Sequence, residues 1–468
     1  GPPRCCFGAR CALHRDCPAM SAAPQRAVFI FGLPSLLLGA AALPHHPLLR
    51  YSVDLESPPS KRYVHVWADF LKRRGPAAFE QTYRSWQIWL SREFPHLFGT
   101  PMLASQSQSS WLVALRAAHP QAADEVVGLS TALLGTNASE PLFQPAALAT
   151  LTSLYPILNI AARNTTDTRP SACTSILVRQ ESGKVLHGRS LDYEPRDPMA
   201  LGTVVLDFQL RRSTAYSCLH PLLYPTALQW FTCVRPGAFS LSVNARSQGR
   251  DNEHNTTFPE LLRRVASPGV LLLGEAAERA MQEKTYAGAL QVLSSVPVVS
   301  SNYYVLAGAW GQGAVVTRFG NLSSADTWAL GSAAGWSDGQ PPWARVQTNV
   351  DHWVPLESGA YATHRRQRAV DALAGMGQGE VSKSSLFSMY LTDHARAGSE
   401  NRTSPEDTGV ILRPSTIATL VMDPAGSAPA EPDTEFWRVW AESPVIKPPA
   451  KLQRAVRAEG DHPHALVV

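Results

Sequence analysis

The body of this 468-residue chain has few cysteines. Four of the seven (Cys5, Cys6, Cys11, Cys17) lie in the first 17 residues, which leaves Cys173, Cys218 and Cys233. So sparse a set excludes a dense disulfide framework. Cys218 and Cys233 read either as a pair across a hairpin or as two free buried thiols. No HExxH and no paired CxxC is present, so the sequence offers no zinc signature and no metal is expected. A large charge of one sign is also missing, since 42 Lys+Arg stand against 38 Asp+Glu for a net charge of +4. No basic run and no interleaving of aromatic with basic residues occurs. This excludes a nucleic-acid partner.

The length suits one large domain or two modest ones. Met20 is followed by Ser21-Ala22-Ala23-Pro24-Gln25-Arg26 and an apolar run over 27–43. One positive charge before an apolar stretch is a signal-peptide pattern, with Ala40-Ala41-Ala42 as small residues for cleavage. Gly32, Pro34 and Gly39 interrupt the run and argue against an uncleaved anchor. Residues 1–19 read as sequence upstream of the true start. Asn-x-Ser/Thr sequons at Asn137, Asn164, Asn255, Asn321 and Asn401 also point to the secretory route.

The pattern changes at Cys173. Residues 50–172 are mostly helical: 77–93 carries Phe79, Tyr83, Trp86 and Leu90 at roughly helical spacing, and 121–134 and 146–162 also read as helices. The aromatic stripe reads as core. Residues 173–425 turn to strands at 174–178, 185–193, 203–210, 239–243, 303–306 and 314–318, with helices at 271–282 and 285–293. Strands, then helices, then strands suit an α+β protein built as a layered αββα sandwich, covered by a helical N-terminal segment. Residues 426–468 are a Pro/Ala-rich tail in which 435–441 could add one strand; from Pro444 onward it reads as disordered.

The most informative stretch is Cys173-Thr174-Ser175-Ile176, with Arg189 and Asp192 following. Glu181-Ser182-Gly183-Lys184 separates the two β-like runs, so they read as a hairpin. A turn centred on Ser182-Gly183 would put residue 173 opposite residue 192. Thiol, guanidinium and carboxylate would then meet at one end. A thiol reacts as thiolate and needs a nearby base or cation, since its ordinary pKa is about 8.5. His187 shares the face of Arg189. A second base appears if the Ala172–Cys173 bond is cut, because the new α-amine has a pKa of about 7.7–8.0. That is the logic of an N-terminal nucleophile hydrolase. The alternative is a buried free cysteine beside an ordinary ion-paired hairpin.

The segment Cys173-Thr-Ser-Ile…His187-Gly188-Arg189-Ser190-Leu191-Asp192-Tyr193 resembles the start of the catalytic subunit in the family of N-acylethanolamine-hydrolysing acid amidases and acid ceramidases. Gln347-Thr348-Asn349-Val350-Asp351-His352-Trp353 resembles the family segment that carries an oxyanion-stabilising asparagine, and Arg365-Arg366 matches a paired-arginine motif. Weaker matches at Tyr51-Ser-Val-Asp-Leu-Glu, Tyr303-Tyr304-Val305-Leu306-Ala307-Gly308 and Ser415-Thr416-Ile417-Ala418-Thr419 extend the resemblance over roughly 50–425. It implies an N-terminal nucleophile hydrolase fold, lysosomal location, and self-cleavage before Cys173 into an α/β-subunit heterodimer. Its substrate would be a fatty acyl amide lipid, reached with peripheral lipid contact and without a cofactor. The cysteines that link subunits near the C-terminus of acid ceramidase have no counterpart here.

Carried over by motif, Cys173 would be the nucleophile, Asp192 would hold its α-amine, Arg189 would orient Asp192 and the thiolate, and Asn349 would donate to the oxyanion. Asn244, Arg246 and Arg365 are candidate substrate contacts, although Arg365-Arg366 also reads as a solvated basic pair. Asp351-His352-Trp353 reads as structural. Ala245 stands where the family has a glutamate, and Thr363-His364 where it has Asp-Asp. The first departure leaves the amine or head-group pocket in doubt and keeps a silent lipid-binding relative open. The sequence therefore favours hydrolysis of N-acylethanolamines to fatty acid and ethanolamine. Ceramide hydrolysis is the alternative, with Asn244-Ala245-Arg246 keeping the Asn-x-Arg frame of acid ceramidase.

Overall fold

The computed structural model describes residues 45–46, 48–95, 105–137, 139–161, 173–193, 195–211, 213–224, 232–246, 258–319, 325–332, 339–355, 363–397, 411–413, 415–426 and 437–440. The segment 1–43, Ala172, and the sequons at Asn164, Asn255, Asn321 and Asn401 lie outside them. No helix among the described residues is long and apolar enough to cross a membrane.

Before Cys173 come strands β1 (His45–His46) and β2 (Arg50–Asp54) and helices α1 (Pro59–Arg62), α2 (Val64–Arg74), α3 (Ala77–Glu93), α4 (Ser105–Ala118), α5 (Pro120–Leu134) and α6 (Pro145–Ala161). The bounds of α3 match the sequence reading, and its stripe is core: Phe79, Tyr83, Trp86 and Leu90 are all fully buried. Trp86 stacks on Tyr224 at 4.7 Å, and Tyr83 Oη donates to Leu223 O at 2.7 Å. The segment is not purely helical, because β2 inserts beside strand β5 (Thr203–Leu210) as a parallel neighbour. Arg50 pairs with Asp207 there.

After Cys173 the chain forms β3 (Thr174–Arg179), β4 (Val185–Asp192), α7 (Arg196–Leu201), β5, β6 (Ser213–Pro221), β7 (Thr232–Arg235) and β8 (Phe239–Ala245). Then follow α8 (Phe258–Val265), α9 (Leu273–Gln282), α10 (Tyr286–Ser295), β9 (Asn302–Gly308), β10 (Gly313–Arg318), β11 (Ala325–Ala329) and β12 (Ala344–Gln347). The last elements among the described residues are α11 (Thr363–Met376), α12 (Lys383–Ala397), β13 (Thr416–Met422) and β14 (Trp437–Trp440). Among the described residues these strands make a six-stranded sheet, β1-β14-β13-β4-β3-β12, and an eight-stranded sheet, β11-β10-β9-β8-β7-β6-β5-β2. Every neighbour in them is antiparallel except β2 on β5. The strand anticipated at 435–441 is β14, so part of the Pro/Ala-rich tail belongs to the first sheet.

The sheets face one another. Leu177 and Val185 of the first pack against Tyr303, Val305 and Val315 of the second. Helices α11 and α12 cover the far side of the first sheet, through Ala369, Val370, Leu373, Leu386 and Phe387. Helices α9 and α10 cover the far side of the second, where Tyr304 Oη donates to Leu273 O and Arg318 Nη1 to Leu293 O. Helix, sheet, sheet and helix are the αββα layers. Both faces of the central strands are covered, which is why β3 and β4 are buried nearly throughout rather than alternating with solvent. Gly188 of β4 permits this closeness: a Cβ there would sit 2.9 Å from Tyr390 Oη of α12. Cys218 and Cys233 face each other across β6 and β7 and form a disulfide.

Candidate active site

The β3–β4 hairpin builds the site. Its turn is tighter at one side than Ser182-Gly183 alone suggests. Gln180 N donates to Lys184 O and Gly183 N to Gln180 O, with Gly183 at φ +88°, a left-handed conformation that glycine takes without strain. The pairing runs Thr174↔Ser190 and Arg179↔Val185. Residue 173 therefore continues the ladder opposite Leu191, one residue short of the expected Asp192.

Strand alternation divides the expected trio. Cys173, Ser175 and Leu177 face the gap between the sheets, as do His187 and Arg189. Asp192 is three residues from Arg189 and turns its carboxylate to the other face, toward α11. Arg189 is fully buried. Its Nη2 lies 3.5 Å from Cys173 Sγ and 2.7 Å from Val243 O, while Nη1 donates to Ser175 Oγ at 3.1 Å and to Asn244 Oδ1. It orients the thiol directly, not through Asp192. Burial lowers the guanidinium's pKa, while the neighbouring Cys173 and Asp192 draw it back.

Asp192 Oδ1 accepts from Ser190 Oγ at 2.6 Å and Thr416 Oγ1 at 2.7 Å. Its Oδ2 meets Arg365 Nη1 at 3.5 Å. Burial raises the carboxyl's pKa, and Arg365 and the hydroxyls oppose that rise. Its approach to the thiol is through its main-chain oxygen, 3.9 Å from Sγ. The nitrogen of Cys173 donates instead to Asn349 Oδ1 at 2.9 Å, and Arg365 Nη2 donates to the same oxygen at 2.8 Å. Asn349 Nδ2 donates to Ala245 O at 2.7 Å. Two donors on one side and a carbonyl on the other fix the amide's orientation. Asn349 thus turns its oxygen to the nitrogen of Cys173 and one of its two N–H groups to Ala245 O.

The remaining candidates are placed as follows. Arg365 and Arg366 are both buried, so the solvated-pair reading fails. Arg366 donates to Asp351 O at 2.9 Å and to Val354 O. Asn244 lies beneath Arg189, with Nδ2 on Gln347 O at 2.9 Å, and serves the site from behind. Arg246 points to Asp351, which it grips with Nε at 2.8 Å and Nη2 at 2.9 Å. His187 sits between Ser240 Oγ at 3.0 Å and Ser242 Oγ at 2.9 Å; burial, then the charge of Arg189, pushes its pKa down to about 3. It is neutral at any physiological pH and is held away from base chemistry. Sequence reasoning passed over Ser175, Ser190 and Thr416 as site residues. The first two share faces with Arg189 and Asp192 respectively, a signal that strand parity contained.

The geometry suits nucleophilic chemistry: a buried thiol beside a cation, its own nitrogen held by an amide oxygen, and a carboxylate held by hydroxyls behind it. No group of three or more His, Cys, Asp or Glu able to hold a metal occurs among the described residues.

Comparison with known proteins agrees with the motif resemblance. No family model matches the chain. An N-acylethanolamine-hydrolyzing acid amidase of Caenorhabditis elegans is 24% identical over 372 residues, covering 78% of this chain and 89% of that protein. The guinea-pig (Cavia porcellus) protein of the same name is 29% identical over 46% of this chain and 56% of its own length. Human acid ceramidase is 26% identical over 47% and 55%. The chain thus spans little more than half the length of the mammalian relatives it matches. The solved structure of a Caenorhabditis elegans N-acylethanolamine-hydrolyzing acid amidase ortholog is 25% identical, covers 59% of this chain and 100% of that one, and has a TM-score of 0.42.

Proposed function

We propose that this chain, like the acid amidases and acid ceramidase to which it is similar, is an amide hydrolase with Cys173 as nucleophile. The observation that carries the reading is the contact set of Cys173: Sγ on Arg189, and N on Asn349. The same residue presents both the nucleophile and the future base.

Activation begins with attack of the thiol on the carbonyl of Ala172. As the C–S bond forms the peptide C–N bond breaks, which frees the α-amine of Cys173, and water then hydrolyses the thioester to give the Ala172 carboxylate and the free thiol. In turnover the amine takes the thiol proton, and the sulfur attacks the substrate carbonyl carbon. Negative charge on the carbonyl oxygen is met by an N–H of Asn349, an interaction worth about 10²–10³ in rate for one donor. The amine returns the proton to the leaving nitrogen, and the C–N bond breaks. Water then cleaves the acyl thioester, releasing fatty acid and the thiol. Arg189 stabilises the thiolate before attack and after hydrolysis, and Asp192 with Arg365 holds Asn349 over the amine.

The substrate proposed is an N-acylethanolamine, in keeping with a C. elegans relative whose alignment spans 78% of this chain. Ala245 does not weaken the catalytic reading, because position 245 serves the site through its main-chain oxygen. Lysosomal delivery by the secretory route is part of the proposal. The Cys218–Cys233 disulfide supports an oxidising compartment, and the Asn137 sequon is partly exposed.

The test is incubation of the purified chain at about pH 4.5 beside Cys173→Ala, followed by mass and N-terminal sequence. A fragment beginning at Cys173, absent from the control, is expected. An intact chain in both overturns self-activation and favours a silent lipid-binding protein. Palmitoylethanolamide and a short-chain ceramide, assayed side by side on the cut protein, then separate the two substrate readings.

A further inference from the structure

The last residue of β12 and the loop after it, which carries Asn349, are fastened to the end of β8 at three successive places. Asn244 Nδ2 donates to Gln347 O at 2.9 Å. Asn349 Nδ2 donates to Ala245 O at 2.7 Å. Arg246 closes a two-pronged contact on Asp351, at 2.8 and 2.9 Å. Every second residue from 347 to 351 meets one of the consecutive residues 244, 245 and 246, so the end of β12 and its loop are laced to one strand end across the gap between the sheets.

The last place is the strongest. Paired N–H donors on one carboxylate fix direction as well as distance. Tyr303 Oη donates to Asp351 Oδ1 at 2.7 Å, bringing β9 into the same contact. Arg246 also reaches Arg318 O at 3.4 Å and lies over the Phe319 ring, its carbon 4.4 Å from the centroid. Arg246 and Asp351 are almost wholly buried, so water does not compete for either group. Arg318 and Phe319 carry the contact to the end of β10.

We propose that Asp351, gripped by Arg246 and Tyr303, is a positioning residue that sets the placement of Asn349 on the nitrogen of Cys173. It touches neither the thiol nor its nitrogen and acts two residues away, through the loop. The inference rests on the amide-hydrolase reading for its kinetic arm only. Asp351 holds the loop to β8, Asn349 is thereby aimed at Cys173, and Arg365 meets Asn349 from α11 on the other side.

The experiment has two arms. In the first, the intact chain at pH 7 is examined by hydrogen–deuterium exchange in the peptide containing Cys173. Asp351→Asn is expected to speed exchange of the Cys173 amide by about 10-fold, roughly 1.4 kcal/mol in local opening. Amides of β3 beyond Ser175 should keep their protection. Arg246→Lys, which retains charge but loses the fork, should do the same. Unchanged exchange at Cys173 in both variants overturns the proposal, and so does equal deprotection of all of β3, which marks a structural role alone.

In the second arm, the cut enzyme is assayed as a double-mutant cycle. Asp351→Asn alone should lower kcat about 10-fold with KM within twofold. Introduced into Asn349→Ala it should change kcat by less than twofold, because the group it aims is gone. Additive losses overturn the proposal. If the unaltered chain turns over no amide, the hydrolase reading falls, while the exchange arm still decides the role of Asp351.

Discussion

Two buried arginine–carboxylate contacts flank Cys173, and they are built differently. Arg246 meets Asp351 as a fork, both prongs under 3 Å, with a tyrosine hydroxyl completing the carboxylate. Arg365 meets Asp192 with one long contact of 3.5 Å and spends its better bond, 2.8 Å, on Asn349. Asp192 is satisfied mainly by Ser190 and Thr416. The first pair is short at both prongs and holds loop to strand. The second is loosely joined, and its arginine divides its bonds between a carboxylate and the amide that faces the nitrogen of Cys173. A forked pair suits a frame, whereas a divided one suits a place where charge would change during the proposed reaction.

The contrast should break in a double dissociation. Asp351→Ala removes the fork and the tyrosine's partner together. It should destabilise the chain by about 3–5 kcal/mol, the cost of breaking a buried pair, measurable by urea unfolding. Asp192→Ala should cost less stability, about 1–3 kcal/mol for its hydroxyl bonds, because Arg365 keeps Asn349. Its kcat should fall about 10²–10³-fold, with self-cleavage slowed in proportion. Reversed rankings in the two assays would erase the distinction between frame and working pair.

Acidity sharpens the same comparison. His187 lies buried on the inner face, its pKa lowered to about 3. A histidine depressed in the folded state takes up its proton more readily when unfolded. It therefore contributes stability above about pH 6.5 and loses it as pH falls toward 3, at about 1.4 kcal/mol per unit. By pH 4.5 the loss should reach about 3 kcal/mol from this residue, and His187→Gln should flatten the dependence of the urea midpoint on pH over that window. Asp192 runs the other way. Its raised carboxyl favours protonation in the folded state, so its protonation adds stability as pH falls. The smallest effect is expected at Gly188. A methyl there would press on Tyr390 of α12 and cost about 1–3 kcal/mol by crowding. Because that strain falls on the outer face, the melting temperature should drop while KM of the cut enzyme holds.

Much of this was legible in the residues. The hairpin, the helix at 77–93 and the company of Cys173, Arg189 and Asn349 follow from alternation, helical spacing and motif. The register slipped by one because the left-handed Gly183 tightens the turn, a detail that a Gly-containing loop does not disclose. Asp192 was expected beside the α-amine, yet its odd spacing from Arg189 puts its side chain on the opposite face. Helix α11 escaped notice because its buried face includes Thr363, Arg365 and Arg366. Apolar periodicity fails where a helix turns charged groups inward, and they are tolerated there because Asp192, Asn349 and main-chain oxygens receive them. Strands β7 and β12, four residues each, are too short to show a period.

Strands β1 and β2 precede Cys173 in the chain, yet β1 pairs with β14 and β2 with β5, one in each sheet. A cut before Cys173 would therefore leave two polypeptides sharing both sheets through main-chain hydrogen bonds. Pulling them apart would bare an unpaired edge on each sheet. Dilution alone should not separate them, and a tag on either piece should retain the other until denaturant is added. Two fragments made separately would find each other by the same strand addition, so this chain is a natural candidate for splitting just before Cys173.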